Sequence, residues 1–291
     1  MNLKAKGGLI LKNNKNQLKV ALIQMKVIDD KDKNLVKAKD FVKKAADQEA
    51  ELVMLPEMFN CPYQTIKFPE YAEKEGGKSW RFLSELAKEN DIFLVGGSIP
   101  EKDDKNDIYN TSYVFNNKGE QIAKHRKVHL FDIDIEGGQT FKESDTLSAG
   151  DTVTTFETEF GKMGLAICFD IRFSEYINLI GQSGAKIIFI PAAFNMKTGP
   201  AHWNLAFRSR ALDNQLFIAG CSPARDENAS YVAYGHSLLV NPWGEIIDQL
   251  DEKQDVLVKE LDLDLIEEYR RKLPIVNNKR VDLYKTILIN N

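Results

Sequence analysis

Apolar positions recur along the chain with two spacings, the two-residue period of a strand and the wider period of an amphipathic helix. Residues 18–27, LKVALIQMKV, are mostly apolar and predict a buried first strand. Asp29 and Asp30 then offer a helix N-cap, and an apolar stripe at helical spacing follows them. The stripe consists of Leu35, Ala38, Val42 and Ala45.

The same alternation continues towards the C-terminus. Further helices are predicted from Ser79 and over 174–182, 201–214 and 263–271. Further strands are predicted over 51–55, 91–98, 186–190, 216–219 and 256–261, with hairpins at 111–128, 152–167 and 235–250, and a loop over the polar stretch 100–107. Strands that alternate with helices and are interrupted by hairpins predict an α/β fold, with mixed sheets covered by helices in one domain.

The composition is that of an ordinary globular protein. The 291 residues are 43% hydrophobic and 28% charged, and the net charge of −4 arises from interspersed residues of both signs. This pattern indicates neither a nucleic acid nor a membrane as a partner, and no apolar run has transmembrane length. Residues 1–16 lack the features of a signal or transit peptide. Three cysteines without disulfide or metal spacing indicate a reducing compartment, so we expect a cytoplasmic protein.

One of these thiols stands at the end of an apolar strand, in residues 161–175, GKMGLAICFDIRFSE. A polar turn follows Cys168, and a helical pattern starts at Ser174. Ligands of α/β folds bind at the carboxyl ends of strands, and helix N–H groups there favour a thiolate. Cys168 is therefore a candidate nucleophile, although free cysteines are also common as small core residues.

A cysteine nucleophile needs a base, because a free thiol is mostly protonated near neutral pH. None of the four histidines lies in a pattern that resembles a Cys–His peptidase. His125 and His129 are four residues apart but lack a third metal ligand, so we predict no metal site and interpret both as structural. Glu57 follows an apolar strand and a proline in LPEMFNCPY, where partial burial raises a carboxyl pKa and makes a competent base. Lys127 has apolar neighbours in KHRKVHLF, and burying a lysine is costly without a purpose.

The motifs LPEMFNCPY, KHRKVHLFDID and GLAICFDIRF resemble, in this order, those around the Glu–Lys–Cys triad of the nitrilase superfamily of carbon–nitrogen hydrolases. The resemblance extends over about residues 18–284. Residues 193–215, AFNMKTGPAHWNLAFRSRALDNQ, together with SPARDENASYVAYGHS and NPWGE, are similar to the ω-amidase, or Nit2-like, branch. Residues 1–16 precede the usual start of this family, so we expect an N-terminal extension of unknown role before a single domain of residues 17–291.

The resemblance implies a role for each residue of the triad. Glu57 is the general base, Cys168 the nucleophile, and Lys127 the cation that faces the developing oxyanion. Glu143, in FKESDTL, matches the second glutamate of the family, which orients the lysine, and the backbone N–H of Phe169 completes the oxyanion hole. The sequence departs from the family at Glu136–Gly137, where Pro–Gly is usual, and at Ala192, where Gly is common; both departures concern loop geometry.

The resemblance also implies how the substrate is held. Arg172 matches the arginine that binds the far carboxylate of an ω-amidase substrate, together with the backbone N–H of Phe194 and the hydroxyl or N–H of Thr198. From the sequence alone, an ion pair of Arg172 with Asp170 or Glu175 is the favoured interpretation. Two further interpretations stay open: Tyr63 lines the pocket or packs in the core, and His202 with Trp203 shape the pocket wall or a subunit contact.

The implied fold is a four-layer α-β-β-α sandwich with no metal or organic cofactor. The implied reaction is hydrolysis of an ω-amide, with 2-oxoglutaramate and 2-oxosuccinamate as substrates, through a thioester on Cys168. An N-carbamoyl-amino-acid or carbamoyl-amine amidohydrolase with the same triad is the alternative enzyme, and a non-catalytic binding subunit is an alternative of another class. The family also implies a homodimer or higher homo-oligomer, with the helix 174–182 at the contact and residues 273–284 reaching across the partner.

Overall fold

Two mixed β-sheets and six α-helices make up most of the computed structural model, which describes residues 16–134 and 140–289. The helices in this part of the chain are α1 (Lys31–Ala46), α2 (Phe68–Tyr71), α3 (Lys78–Glu89), α4 (Ser174–Gln182), α5 (Thr198–Asn214) and α6 (Leu265–Lys272). The strands are β1 (Gln17–Gln24), β2 (Leu52–Met54), β3 (Phe93–Val95), β4 (Ile99–Lys102), β5 (Ile108–Phe115), β6 (Gln121–Arg126), β7 (Asp132–Asp134), β8 (Thr140–Lys142), β9 (Thr154–Thr158), β10 (Gly161–Leu165), β11 (Ile187–Pro191), β12 (Phe217–Cys221), β13 (Leu238–Val240), β14 (Ile246–Gln249) and β15 (Asp255–Asp262).

The first sheet has the order β15-β1-β2-β3-β5-β4, and β6 also pairs with β5. Strands β1, β2 and β3 run parallel, whereas β15 pairs antiparallel with β1 along its whole length. Leu18, Val20 and Leu22 of β1 point to one face of the sheet, and Ala21 and Ile23 point to the other. Because both faces are covered, the strand is apolar nearly throughout.

The second sheet has the order β14-β13-β12-β11-β10-β9. Its central strands β10, β11 and β12 run parallel, and the strands at its edges pair antiparallel with their neighbours. The fully buried strand β11, with the sequence IIFIP, lies in the middle of the sheet.

The hydrophobic clusters define four layers. The inner cluster joins the facing sides of the two sheets, with Leu22 and Met54 of the first sheet near Leu165 and Phe189 of the second. A second cluster packs α1 and α3 on the outer side of the first sheet, and a third packs α4 and α5 on the outer side of the second. This arrangement confirms the predicted four-layer α-β-β-α sandwich.

The boundaries of the predicted elements agree with the structure in most places. The interpretation of residues 100–107 as a loop was wrong at its start, because Ile99–Lys102 forms β4. Strand β4 lies at the end of the sheet, where Pro100 is tolerated although it has no N–H to donate. Helix α5 begins at Thr198, three residues before its predicted start.

Some predicted features lie outside the described residues. These are most of the N-terminal extension 1–16 and the departure at Glu136–Gly137. The division into this extension and a single domain of residues 17–291 stays a prediction. Within residues 16–134 and 140–289, no helix is long and apolar enough to cross a membrane.

Candidate active site

Glu57 follows strand β2 and Pro56, and its side chain is completely buried. One carboxylate oxygen, Oε1, accepts hydrogen bonds from Nδ2 of Asn110 at 2.8 Å and from Nζ of Lys127 at 3.0 Å. Burial raises the pKa of Glu57, as predicted; the charge of Lys127 opposes this shift and the charge of Glu143 adds to it. A raised pKa makes the carboxylate a better proton acceptor than an exposed glutamate.

Lys127 directly follows strand β6, and its side chain is also completely buried. Its backbone N–H donates to the Asn110 carbonyl at 2.8 Å, which fixes the point where the side chain leaves the sheet. Nζ lies 3.0 Å from Glu57 Oε1 and 2.9 Å from Glu143 Oε2. Burial lowers the pKa of Lys127, but the charges of Glu143 and Glu57 outweigh it, so the pKa is raised and the lysine stays a cation.

Glu143 begins a short 3-10 helix, Glu143–Asp145, directly after β8. Its Oε2 accepts the backbone N–H of Phe131 at 2.7 Å, and its Oε1 accepts the hydroxyl of Tyr63 at 2.6 Å. The Tyr63 oxygen also lies 3.4 Å from Glu57 Oε1 and 3.4 Å from Lys127 Nζ. Tyr63 therefore belongs to this polar cluster, and its role in lining the substrate pocket stays a prediction.

Cys168 begins a second 3-10 helix, Cys168–Arg172, after strand β10. Its φ of +45° lies in the left-handed region, which a residue with a side chain seldom adopts and which is typical of functional turns. The thiol is buried rather than exposed. Burial and the charge of Glu57 raise its pKa well above the ordinary value, although Lys127 and the N–H of Ala193 act in the opposite direction. The expected preference for a thiolate is therefore outweighed, and the thiol needs a base.

Asp170 holds the turn of the nucleophile in place. Its carboxylate accepts the backbone N–H groups of Ile167 and His129, each at 2.9 Å. It also bonds Nδ1 of His129 at 2.8 Å and Nε2 of His125 at 3.2 Å. The interpretation of both histidines as structural, hydrogen-bonded residues agrees with these contacts. Within the described ranges, no group of three or more His, Cys, Asp or Glu side chains is arranged to hold a metal ion.

Arg172 points away from Asp170, although it is only two residues further along the chain. Its Nη1 lies 3.1 Å from Nδ1 of His202, and its guanidinium stands 4.7 Å from the ring centre of Phe194 and 5.6 Å from that of Phe169. Within residues 16–134 and 140–289, Arg172 forms no ion pair with a carboxylate. The alternative of an internal ion pair with Asp170 or Glu175 was therefore wrong.

A small, narrow pocket opens beside the thiol. Its walls are Phe131, Cys168, Phe169, Arg172, Ala193, Phe194 and Thr198. The N–H and the hydroxyl of Thr198 both donate to Oδ1 of Asn195, at 2.9 and 3.0 Å. Trp203 is buried behind Phe194, and its Nε1 donates to the His236 carbonyl, so Trp203 supports the pocket wall from the core.

Comparison with known proteins agrees with this geometry. The family model described as carbon-nitrogen hydrolase matches residues 19–271. The chain belongs to the carbon–nitrogen hydrolase family. It is 50% identical to "Omega-amidase NIT2" of Mus musculus over 91% of this chain and 96% of the relative, and 49% identical to the Homo sapiens protein of the same name over the same shares.

A solved structure agrees in fold as well. The crystal structure of Nit3 from Saccharomyces cerevisiae, a member of branch 10 of the nitrilase superfamily, superposes on this chain with a TM-score of 0.84. It is 44% identical in sequence, over 91% of this chain and 97% of the yeast chain. The chain is thus an enzyme that hydrolyses carbon–nitrogen bonds of amides.

Asn110 and Tyr231 belong to the site of this carbon–nitrogen hydrolase but escaped the sequence analysis. Asn110 is a buried polar residue on strand β5. Burying its side-chain amide costs folding free energy unless the amide is hydrogen-bonded. Tyr231 is buried in the segment SPARDENASYVAYGHS, and its hydroxyl donates to the Ala193 carbonyl at 2.5 Å. Asn110 is followed by the polar residues Thr111 and Ser112 in the strand sequence IYNTSYVF, so neither it nor Tyr231 has a local signal.

The second oxygen of the Glu57 carboxylate completes the arrangement. Oε2 is buried and accepts no N–H or O–H donor in the described part of the chain. The thiol of Cys168 lies close enough to this carboxyl group for each to shift the pKa of the other. One oxygen of Glu57 is thus held by Lys127 and Asn110, while the other is available to take up a proton.

Proposed function

We propose that this carbon–nitrogen hydrolase is an ω-amidase that hydrolyses 2-oxoglutaramate and 2-oxosuccinamate to the dicarboxylic acid and ammonia. The observation that carries the proposal is the guanidinium of Arg172 in the thiol pocket without a carboxylate partner among the described residues. A partly buried cation beside a nucleophile fits a substrate that is itself an anion. The names of the relatives at about 50% identity support the same conclusion.

In this proposal Glu57, Lys127 and Cys168 form the catalytic triad. Glu57 takes the thiol proton through Oε2, and Sγ of Cys168 attacks the amide carbon. The oxyanion that forms faces the Nζ of Lys127 and the backbone N–H of Phe169. Such preorganised donors lower the barrier because they point where charge develops, and one of them is worth about 3–4 kcal/mol.

The intermediate collapses when Glu57 gives its proton to the leaving nitrogen, so ammonia departs and a thioester remains on Cys168. Water then donates a proton to Glu57 and attacks the thioester carbon. The second intermediate releases the carboxylic acid, and Cys168 regains a proton. Glu143 positions Lys127 throughout, since it lies 2.9 Å from Nζ and is itself held by Tyr63 and Phe131.

The far end of the substrate is assigned to Arg172, Phe194 and Thr198. Arg172 binds the distal carboxylate, with the N–H of Phe194 as a second donor. Thr198 donates to Asn195, so its contribution to substrate binding requires a change of hydrogen-bond partner. Binding energy from this end places the ω-amide against the thiol.

An ammonia-release assay tests the proposal against its alternatives. The panel contains 2-oxo ω-amides, simple ω-amides, nitriles, and N-carbamoyl compounds, which also release carbon dioxide. We expect the 2-oxo ω-amides to have the highest kcat/KM. Preference for carbamoyl compounds identifies the carbamoyl amidohydrolase instead, and the absence of turnover on every compound identifies a non-catalytic binding subunit.

The proposal includes a homodimer in the cytoplasm. The C-terminal stretch presents exposed apolar side chains, among them Val281 at 65% and Leu283 at 74% exposure. Apolar side chains of this kind next to α4 are suited to cover a second copy of the chain. Free thiols at all three cysteines are compatible with a reducing compartment.

A further inference from the structure

The segment SPARDENASYVAYGHS provides no group of the proposed triad, yet it lies along the wall of the thiol pocket. Tyr234 N–H donates to the Phe194 carbonyl at 2.8 Å, and Ala233 pairs with Asn195 as an isolated antiparallel bridge. The Tyr231 hydroxyl donates to the Ala193 carbonyl at 2.5 Å. Three successive residues, 193–195, of which the first two line the pocket, are thus held from one side by this segment.

The contact from Tyr231 falls on one particular peptide group. The carbonyl of Ala193 and the N–H of Phe194 are the two ends of the same planar peptide. A hydrogen bond accepted at the carbonyl polarises this peptide and strengthens its N–H as a donor. It also fixes the direction in which that N–H points, because the whole group rotates as a unit.

The surroundings of Tyr231 keep its hydroxyl in this role. The ring is buried and lies 4.6 Å from the ring of Tyr63 and 5.6 Å from that of Phe141, measured between centres. Burial, with the charges of Glu57 and Glu143 and the neighbouring thiol of Cys168, raises the pKa of Tyr231. The phenol therefore stays protonated and can only donate to the carbonyl.

We propose that Tyr231 is a positioning residue for substrate selection, whose hydroxyl orients and polarises the peptide that presents the Phe194 N–H to the distal carboxylate of the substrate. This inference rests on the proposed ω-amidase function. It assigns to the SPARDENASYVAYGHS segment a role in recognising an anionic substrate, separate from the chemistry at the thiol.

The test compares Tyr231→Phe with the wild-type enzyme in two measurements on Cys168. The first is the rate of alkylation by iodoacetamide, an uncharged amide, with the modified cysteine identified by mass spectrometry. The second is the concentration of 2-oxoglutarate, the dicarboxylate product, that halves this rate. We expect the alkylation rate to change less than twofold and the protecting concentration to rise about three- to tenfold, the range for one lost hydrogen bond.

Turnover gives an independent readout. The KM of Tyr231→Phe for 2-oxoglutaramate should rise by a similar factor, while kcat changes less. Tyr176→Phe is the matched control, because its buried hydroxyl also donates to a backbone carbonyl, that of Thr152 at 2.8 Å, but outside the pocket. It should lower the melting temperature comparably without changing protection by 2-oxoglutarate.

Equal effects of Tyr231→Phe on alkylation and protection, or no effect on protection, would overturn the inference. If this variant does not fold, p-aminophenylalanine at position 231 is the substitute, because its amino group is a weaker hydrogen-bond donor than the hydroxyl. It should raise the concentration of 2-oxoglutarate that halves the alkylation rate, while the alkylation rate without 2-oxoglutarate stays unchanged. An unchanged protecting concentration again overturns the inference. Failure of the proposed function looks different, because 2-oxoglutarate would then not protect the wild-type enzyme and 2-oxoglutaramate would release no ammonia.

Discussion

The Nη1 atom of Arg172 lies 3.1 Å from Nδ1 of His202. Arginine has only donors, so the histidine nitrogen is the acceptor in this contact. No ion pair to a carboxylate of the described chain neutralises the charge of Arg172. Burial lowers its pKa, which is the cost of keeping a cation in the pocket.

Arg172→Met should therefore affect anionic substrates selectively. The KM for 2-oxoglutaramate should rise and kcat should fall, because binding at the far end positions the reacting amide. A charge-assisted hydrogen bond is worth roughly 1.5–3 kcal/mol, so kcat/KM should fall by about one to two orders of magnitude. Amides without that carboxylate should be nearly unaffected, and equal losses on both kinds of substrate would contradict the assignment.

Cys168→Ala should abolish hydrolysis while the fold and substrate binding persist. Cys61→Ala and Cys221→Ala are the matched controls, because both thiols are buried and burial also raises their pKa values. They should keep most of the activity. Intact-mass measurement of rapidly quenched enzyme should find the acyl adduct on Cys168 alone, and near-wild-type turnover of Cys168→Ala would exclude the thioester route.

Lys127→Gln should lose both activity and stability. The substitution leaves the buried carboxylates of Glu57 and Glu143 without their cation, which typically costs about 3–5 kcal/mol of folding free energy. Turnover should fall at least a hundredfold with the loss of the oxyanion donor. Lys124→Gln, on strand β6, removes a partly exposed lysine that pairs with Glu75 and with the buried Glu101. Arg126 still neutralises Glu101, so this variant should retain activity. Calorimetry and ammonia release measure the two effects, and full activity of Lys127→Gln would contradict the mechanism.

Glu57 should set the acid limb of the pH–rate profile. As pH falls through the pKa of Glu57, the carboxyl becomes protonated and no longer accepts the thiol proton, so the rate falls. Because burial raises this pKa above 4.5, the fall should begin at a higher pH than for an ordinary glutamate. Glu57→Gln should be inactive at every pH; a wild-type rate for this variant would require another base, with His202 the next candidate.

Sedimentation velocity at micromolar concentration should find a homodimer or larger assembly. The exposed apolar residues of the C-terminal stretch, including Leu283 and Ile287, are the proposed contact. Removal of residues 281–291 should weaken the assembly and leave the triad intact, because none of its groups lies in this stretch. A monomer that retains full activity would contradict the proposed homodimer.

Local patterns were sufficient for much of the fold. The first strand and α1 follow from apolar periodicity and the Asp30 cap, whose carboxylate accepts the Lys33 N–H as expected. The loop interpretation of 100–107 failed because the pairing partner of β4 is β5, which supplies the hydrogen bonds that the sequence of β4 does not reveal. Propensity is overridden where tertiary pairing satisfies the backbone.

The candidate site was predictable only where a motif carried it. Glu57, Lys127 and Cys168 come from three distant motifs, and the structure brings Lys127 and Glu57 to 3.0 Å. The contact of Arg172 with His202 joins residues thirty positions apart, and that of Tyr231 with Ala193 spans 38. Neither pair has a spacing that periodicity can detect. The first depends on how helix α5 packs against the 3-10 helix of the nucleophile, and the second on how the segment around Tyr231 packs against residues 193–195.

The buried cluster of Glu57, Glu143 and Lys127 also fixes the charge balance of the reaction. With both carboxylates ionised and the lysine protonated, the resting cluster carries a net charge of −1, and the thiol adds nothing. Transfer of the thiol proton to Glu57 moves the negative charge onto sulfur but leaves the total unchanged, and the later departure of neutral ammonia restores the carboxylate. No step of the first half-reaction brings a new net charge into an interior that solvates ions poorly. The first half-reaction is thus an internal relocation of one proton, from sulfur to Glu57 and then to the leaving nitrogen, within a site of constant charge.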